Sequence, residues 1–175
     1  MQIFADGDYR DKIVTLIYVS HLKKEVCENA DFARQFESVL PKLQAAGKQF
    51  AADMVSLCEE KNQMTLTHGD VRDIDGNHVY NVGLHPYIID FGFSRYAPFY
   101  IDITDYFSPD EAHFYREALE NKGFSIRPKD FEERFRIVSK YPGFIYMFPG
   151  IMQWKSGSEQ RLMRCIRKIL GDSFE

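Results

Sequence analysis

Two short triplets, His68-Gly69-Asp70 and Asp90-Phe91-Gly92, constrain this chain more than any other feature of its sequence. Each follows apolar or β-branched residues, which are Met64 to Thr67 before the first and Tyr87 to Ile89 before the second. The second run predicts a strand that delivers Asp90 at its end. Two aspartates placed in such loops suit chemistry in which one carboxylate deprotonates a hydroxyl and the other holds a hard metal ion.

Size and composition predict one soluble globular domain. The chain has 175 residues, of which 45% are hydrophobic and 27% are charged, and this is enough to bury a core. A net charge of -4 without a basic run argues against a nucleic-acid partner. The longest apolar run, Ile13 to Val19, is too short to cross a membrane, and the N-terminus has no signal-peptide pattern. Three cysteines without CxxC spacing predict free thiols and a cytoplasmic location.

The first half of the chain predicts a hairpin followed by two helices. The hairpin runs from Ile3 to Val19 around an Asp-Gly turn. Residues 31–40 are expected to be helical, and Pro41 is expected to end that helix. Residues 43–60 form the strongest helical pattern, with an apolar stripe that faces the core, and this helix leads into the first triplet.

The second half predicts a further hairpin and three helices. Residues 78–80 pair with residues 87–89 in the hairpin. The first predicted helix covers residues 108–123 and begins with a capping box at Ser108. The second covers residues 129–140 and is followed by Pro142-Gly143, which ends it. The third is capped by residues 156–159 and ends at Gly171. The apolar stretch from Phe144 to Trp154 is expected to be a loop, either packed against the body or exposed as a partner surface.

With both triplets in this order and at this spacing, residues 67–107 resemble the catalytic half of the protein-kinase-like superfamily. The His-Gly-Asp form is similar to the aminoglycoside phosphotransferase and choline kinase branch. The string from Asp90 to Arg95 also resembles protein kinases, so the acceptor stays open between a protein and a small molecule. The resemblance implies ATP and Mg²⁺ as cofactors, Asp70 as the catalytic base and Asp90 as the principal magnesium ligand.

The resemblance also implies supporting residues. In the family, an Asn five residues after the catalytic Asp supplies a second metal contact, but Asp75 stands there in this chain. Either Asn77 takes that role in a longer loop or Asp75 substitutes as an oxygen ligand, and we favour Asn77 because it directly precedes a strand. Asp102 is expected to brace the catalytic loop, with Asp105 as a weaker candidate, and His68 is expected to be structural.

Other parts of an intact kinase are not recognisable. The sequence contains no G-x-G-x-x-G and no strand Lys with a matching helix Glu. We therefore expect an α+β kinase-like domain that is N-terminally truncated. In it, residues 1–20 form a remnant small-lobe hairpin and hinge, and residues 21–175 form a mainly helical large lobe with the catalytic hairpin. A missing lobe, a partner or a second copy would complete the site. The alternative is a non-catalytic, pseudokinase-like interaction module.

Overall fold

The computed structural model describes residues 19–71, 78–80 and 86–171 of the chain. The fold is α+β and mostly helical, with two small antiparallel sheets. The described residues divide into two compact units. One contains residues 57–138, with the gaps given above, and the other contains residues 19–56 and 139–171. The predicted N-terminal hairpin lies outside the described residues.

The elements are numbered here in chain order. The helices are α1 (19–28), α2 (Ala30–Phe36), α3 (Leu40–Glu59), α4 (Tyr100–Tyr106), α5 (Pro109–Asn121), α6 (Pro128–Val138), α7 (Tyr141–Ile145), α8 (Met147–Lys155) and α9 (Gln160–Leu170). The strands are β1 (Met64–Thr67), β2 (His78–Tyr80), β3 (Pro86–Ile88) and β4 (Arg95–Pro98). Single 3₁₀ turns cover Lys61–Gln63 and Phe91–Phe93.

Two strand pairs position the triplets in the unit that contains residues 57–138. Strand β1 pairs antiparallel with β4, so Met64 lies opposite Pro98 and Thr67 lies opposite Arg95. The predicted hairpin of β2 with β3 is confirmed, and His78 lies opposite Ile88. The first triplet follows β1 directly, and Asp90 comes two residues after the end of β3.

Aromatic side chains form much of the core of this unit. The Phe99 and Tyr100 rings stack with their centroids 4.2 Å apart, and the Tyr100 ring meets Phe131 of α6 at 5.3 Å. Phe131, Phe135 and Val138 are buried along one face of α6, as their spacing predicted. The capping box of α5 is also confirmed, because Ser108 and Glu111 exchange both of its hydrogen bonds.

The other unit packs α9 against α7 and α8. Leu162, Cys165, Ile166 and Ile169 are buried on one side of α9. The Phe50 ring of α3 stacks on the Phe144 ring of α7 at 5.0 Å. Close packing also explains a glycine, because a Cβ at Gly143 would lie 2.8 Å from the Cys165 carbonyl oxygen.

Three sequence expectations are wrong in detail. Residues 19–28 are helical, so the predicted strand does not extend to Val19. Pro41 does not end a helix, because α2 stops at Phe36 and Pro41 lies in the first turn of α3, where no backbone donor is needed. Residues 144–154 are not a loop but belong largely to α7 and α8.

The ends of the last helices also differ from expectation. Helix α6 ends at Val138, and Pro142-Gly143 lies inside α7. Glu159 occupies the N-cap position of α9 and makes no side-chain capping bond there. Gly171 does follow α9, with φ +62°. Across the part of the chain that the structure describes, none of the helices combines the length and the hydropathy needed to cross a bilayer.

Candidate functional site

The first triplet is held in place by a carboxylate from a distant part of the sequence. Oδ2 of Asp102 accepts a hydrogen bond from the His68 amide at 2.9 Å, and Oδ1 accepts one from the Gly69 amide at 2.8 Å. Asp102 lies on α4, whereas the two amides follow β1. One side chain thus holds the backbone amides of the two residues that immediately precede Asp70. Asp102 is the residue that was expected to brace this loop.

His68 connects the two triplets. Its Nε2 lies 2.8 Å from the Ile89 carbonyl oxygen, and its Nδ1 lies 3.3 Å from the Asp70 amide nitrogen. A carbonyl oxygen only accepts and an amide only donates, so the proton is on Nε2 and Nδ1 is the acceptor. The Phe91 ring packs against the buried imidazole, with centroids 4.8 Å apart. His68 is therefore a structural link between the loop of Asp70 and the loop of Asp90.

Gly69 is required by its conformation and by its surroundings. Its φ is +85°, in the left-handed region that residues with a Cβ rarely adopt. A Cβ built at this position would lie 2.6 Å from the Phe93 carbonyl oxygen, which is too close for any real contact. The backbone of the first triplet therefore packs directly on the backbone that follows the second.

Asp90 has an unusual backbone conformation. Its φ of 61° and ψ of 66° make it the one non-glycine residue with positive φ in the described part of the chain. Its Oδ1 accepts a long hydrogen bond of 3.4 Å from the Gly92 amide, a local bond that helps Asp tolerate this region. Such strain, roughly 1–3 kcal/mol, is found disproportionately at functional sites. The carboxylate is exposed to solvent, whereas Asp70 is half-buried.

Sequence reasoning gave no role to three residues that hold the site together. Thr67 Oγ1 donates to the Arg95 carbonyl at 2.9 Å, and Ser94 Oγ lies 3.4 Å from the His68 carbonyl. The buried Arg95 guanidinium donates to the Phe93 carbonyl at 3.2 Å. Ser94 and Arg95 lie two and three residues after the second triplet. Polar residues so close to a predicted loop were the available clue to their role.

Two titratable groups on neighbouring helices have shifted pKa values. Burial raises the pKa of Tyr115, and the Asp102 carboxylate adds to that shift. Burial also raises the pKa of Tyr100, while the nearby Arg134 guanidinium opposes the rise. Both phenols therefore stay protonated through the physiological range. The half-buried Arg134 itself pairs with Glu60 at 2.7 Å, which joins α6 to the end of α3.

Several large apolar side chains near the two triplets are exposed to solvent. They are Leu66, Tyr87, Ile88, Ile89, Phe91, Phe93 and Tyr96. Leu66 and Tyr96 are direct cross-strand partners, with 74% and 50% of their surface exposed. Exposed apolar side chains that adjoin one another, as this pair does, are typical of a surface that another molecule covers.

The remaining predicted ligands cannot be placed. Asn77 and Asp75 lie outside the described residues. Within the residues that are described, no three His, Cys, Asp or Glu side chains form a group that could hold a metal ion on its own. No protein-family model, curated protein or solved structure matches this chain.

Proposed function

We propose that this chain is a kinase-like domain for ATP- and magnesium-dependent transfer of the γ-phosphoryl group to a hydroxyl on a protein or a small molecule, in which the Gly-rich loop and strand Lys that the sequence lacks come from a further segment, a partner or a second copy. The observation that supports it best is the hydrogen-bonded network through His68. Asp102 holds the peptide units just before Asp70, and the His68 ring bonds the carbonyl of Ile89, which immediately precedes Asp90. Phosphoryl transfer depends chiefly on positioning and charge stabilisation, and this network restrains the backbone that carries each of the two aspartates.

In this proposal Asp70 is the catalytic base. Its carboxylate accepts the hydrogen bond of the acceptor hydroxyl, orients that oxygen for attack and takes its proton as the bond to phosphorus forms. The Asp70 amide is tied to His68 Nδ1, so the backbone that carries the base is restrained. The half-buried position of Asp70 suits a base that must meet a substrate without full exposure to water.

Asp90 is the proposed principal magnesium ligand, with Asn77 as the second. Carboxylate and amide oxygens are hard donors that magnesium prefers, and it usually takes only one or two carboxylates, with phosphate oxygens and water completing its shell. An exposed Asp90 carboxylate fits that chemistry, and a three-residue protein cage is not needed. Bound there, magnesium would neutralise charge on the phosphates.

The test separates binding from turnover. ATP binding is measured by calorimetry in the presence of magnesium, and phosphoryl transfer to water is measured as phosphate release, since this readout needs no knowledge of the acceptor. Asp70→Asn is expected to bind normally and to lose about 10²–10⁴-fold in turnover. Asp90→Asn is expected to lose both. The matched control is Glu117→Gln, an exposed carboxylate on α5, and wild-type behaviour in both aspartate variants would contradict the proposal.

A non-catalytic interaction module is the second candidate, and the exposed apolar side chains around the triplets favour it. Under this proposal the network through His68 shapes a binding surface. Neither magnesium nor ATP would then bind. A double substitution of Leu66 and Tyr96 to Ser would abolish capture of a protein partner while leaving the helical content unchanged. Magnesium-dependent ATP binding by the wild-type chain would exclude this alternative in its simplest form.

A further inference from the structure

Charge is distributed unevenly along this chain. Residues 139–171 contain six Lys or Arg side chains and one acid, Glu159, for a net charge of +5, whereas the whole chain carries -4. The last four residues add two acids, Asp172 and Glu175, which reduces the net charge of residues 139–175 to +3. A basic segment in an acidic protein indicates a surface for a negatively charged partner.

Helix α9 gathers most of these cations on one side. Its buried side is apolar, and its polar side carries Arg161, Arg164, Arg167 and Lys168, here called the basic face of α9. Arg164, Arg167 and Lys168 are exposed. They are separated by three and four positions, so they lie on adjacent turns of the same helical surface. The Arg161 guanidinium is partly immobilised one turn earlier, 5.2 Å from the centroid of the Tyr146 ring.

Several cations elsewhere in the described residues are held in ion pairs. Lys155 pairs with Glu25, Arg116 with Glu120 and Arg134 with Glu60. Arg164 and Arg167 make no ion pair with any residue that the structure describes. Like charges spaced by three or four residues repel one another on a helix. An anion bound across them would relieve that repulsion.

The chemistry of the face favours a protein partner over a membrane or a nucleic acid. Leu162, Cys165, Ile166 and Ile169 of α9 are buried and only Met163 and Leu170 are partly exposed, so the helix offers little apolar surface to insert into a bilayer. The exposed side carries no aromatic residue on which a base could stack. Paired guanidinium groups suit carboxylates, which they bind in a bidentate manner.

We propose that the basic face of α9 is a docking surface for a short Asp- and Glu-rich segment of a partner protein. This inference does not depend on the proposed kinase-like function, because α9 and the two triplets belong to different units of the described chain.

Fluorescence anisotropy with a labelled Asp/Glu peptide tests the proposal. The triple variant Arg164→Glu, Arg167→Glu, Lys168→Glu is expected to bind the peptide at least tenfold more weakly than the wild type. The milder double variant Arg164→Gln, Arg167→Gln is expected to lose part of that affinity. It replaces the triple variant in the test if charge reversal disturbs folding. The charge-matched control is Lys48→Glu, Lys122→Glu, Lys129→Glu, at three exposed positions on other elements.

Three results would overturn the proposal. The first is no measurable binding of the peptide by the wild-type chain at low ionic strength. The second is an equal loss of affinity in the control triple, which would indicate a general charge effect. The third is tighter binding of single-stranded RNA or of phosphatidylserine vesicles at the same ionic strength, which would assign the face to one of those partners.

Discussion

Asp102 offers the sharpest test of how the site is held together. Its two carboxylate oxygens accept from the amides of His68 and Gly69 at 2.9 and 2.8 Å. Each hydrogen bond to a charged group contributes about 1.5–3 kcal/mol to stability. The two bonds share one half-buried carboxylate, so their contributions cannot simply be added. Asp102→Asn keeps one acceptor oxygen but turns an amide N–H toward a backbone donor. We expect it to lower the free energy of unfolding by about 2 kcal/mol.

Urea denaturation followed by circular dichroism measures that loss. For a chain of this size, a change of about 2 kcal/mol corresponds to a fall in Tm of roughly 4–8 °C. Hydrogen exchange adds local resolution, because the amides of His68 and Gly69 are expected to lose about 30-fold in protection if they open locally. Glu117→Gln, which removes an exposed carboxylate on α5, is expected to stay within about 0.5 kcal/mol of the wild type. An Asp102→Asn variant as stable as this control, with unchanged amide protection, would refute the reasoning.

Four further substitutions have defined outcomes. Gly69→Ala places a Cβ at positive φ and against a carbonyl oxygen, so it is expected to cost about 2 kcal/mol or more in a urea titration; a neutral result would contradict the geometry. Tyr100→Phe removes a buried hydroxyl that lies near the Arg134 guanidinium but makes no hydrogen bond of normal geometry with the described residues, and it is expected to change stability by less than about 1 kcal/mol. Arg134→Met is expected to lower the free energy of unfolding by about 1–2 kcal/mol because it leaves the half-buried Glu60 carboxylate without its ion pair. A larger loss of stability in Tyr100→Phe than in Arg134→Met would show that the Tyr100 hydroxyl matters more than this ion pair. The pKa of Glu111 is lowered by hydrogen bonds from the Ser108 backbone and hydroxyl, so its contribution is present above the unfolded-state pKa and is lost as the pH falls through the folded-state pKa. The Tm difference between the wild type and Glu111→Gln should therefore be present at neutral pH and vanish in acid, and a difference that persists in acid would argue against this assignment.

Local sequence patterns predicted the elements whose signals lie within a few residues. The capping box at Ser108 and the apolar face of α6 are of this kind, because their hydrogen bonds and burial follow directly from helical spacing. The β2–β3 hairpin was likewise predicted from β-branched and aromatic residues on either side of a turn.

Prolines account for much of what was missed. Pro41, Pro142 and Pro149 all lie in the first turns of helices, where the missing N–H is harmless. The first two were interpreted as helix ends. The stretch from Phe144 to Trp154 was also misassigned. Its side chains are apolar on most sides, and its first four residues are buried, so no alternation of polar and apolar residues reveals the helical period.

The site itself could be predicted only in outline. Asp70, Asp90 and Asp102 were selected through a family resemblance. The hydrogen bonds that hold their loops join residues up to 34 positions apart, and these bonds depend on tertiary structure. The left-handed backbone of Asp90 has no local sequence signature, and although Ser94 stands close to a predicted loop, the partners of Thr67 and Ser94 lie 28 and 26 residues away. These features arise where two loops pack together, and no periodicity reports on that.

Thermal unfolding with and without Mg-ATP tests the central proposal most directly, with Asp90→Asn alongside. A ligand that binds only the native state at about 100 times its Kd stabilises it by about 2.7 kcal/mol, which is roughly 5–11 °C in Tm for this size of chain. We expect a shift that requires magnesium and disappears in Asp90→Asn. An unchanged Tm at millimolar Mg-ATP, or an equal shift in the variant, would contradict the assignment of Asp90 as the residue that holds the metal on ATP.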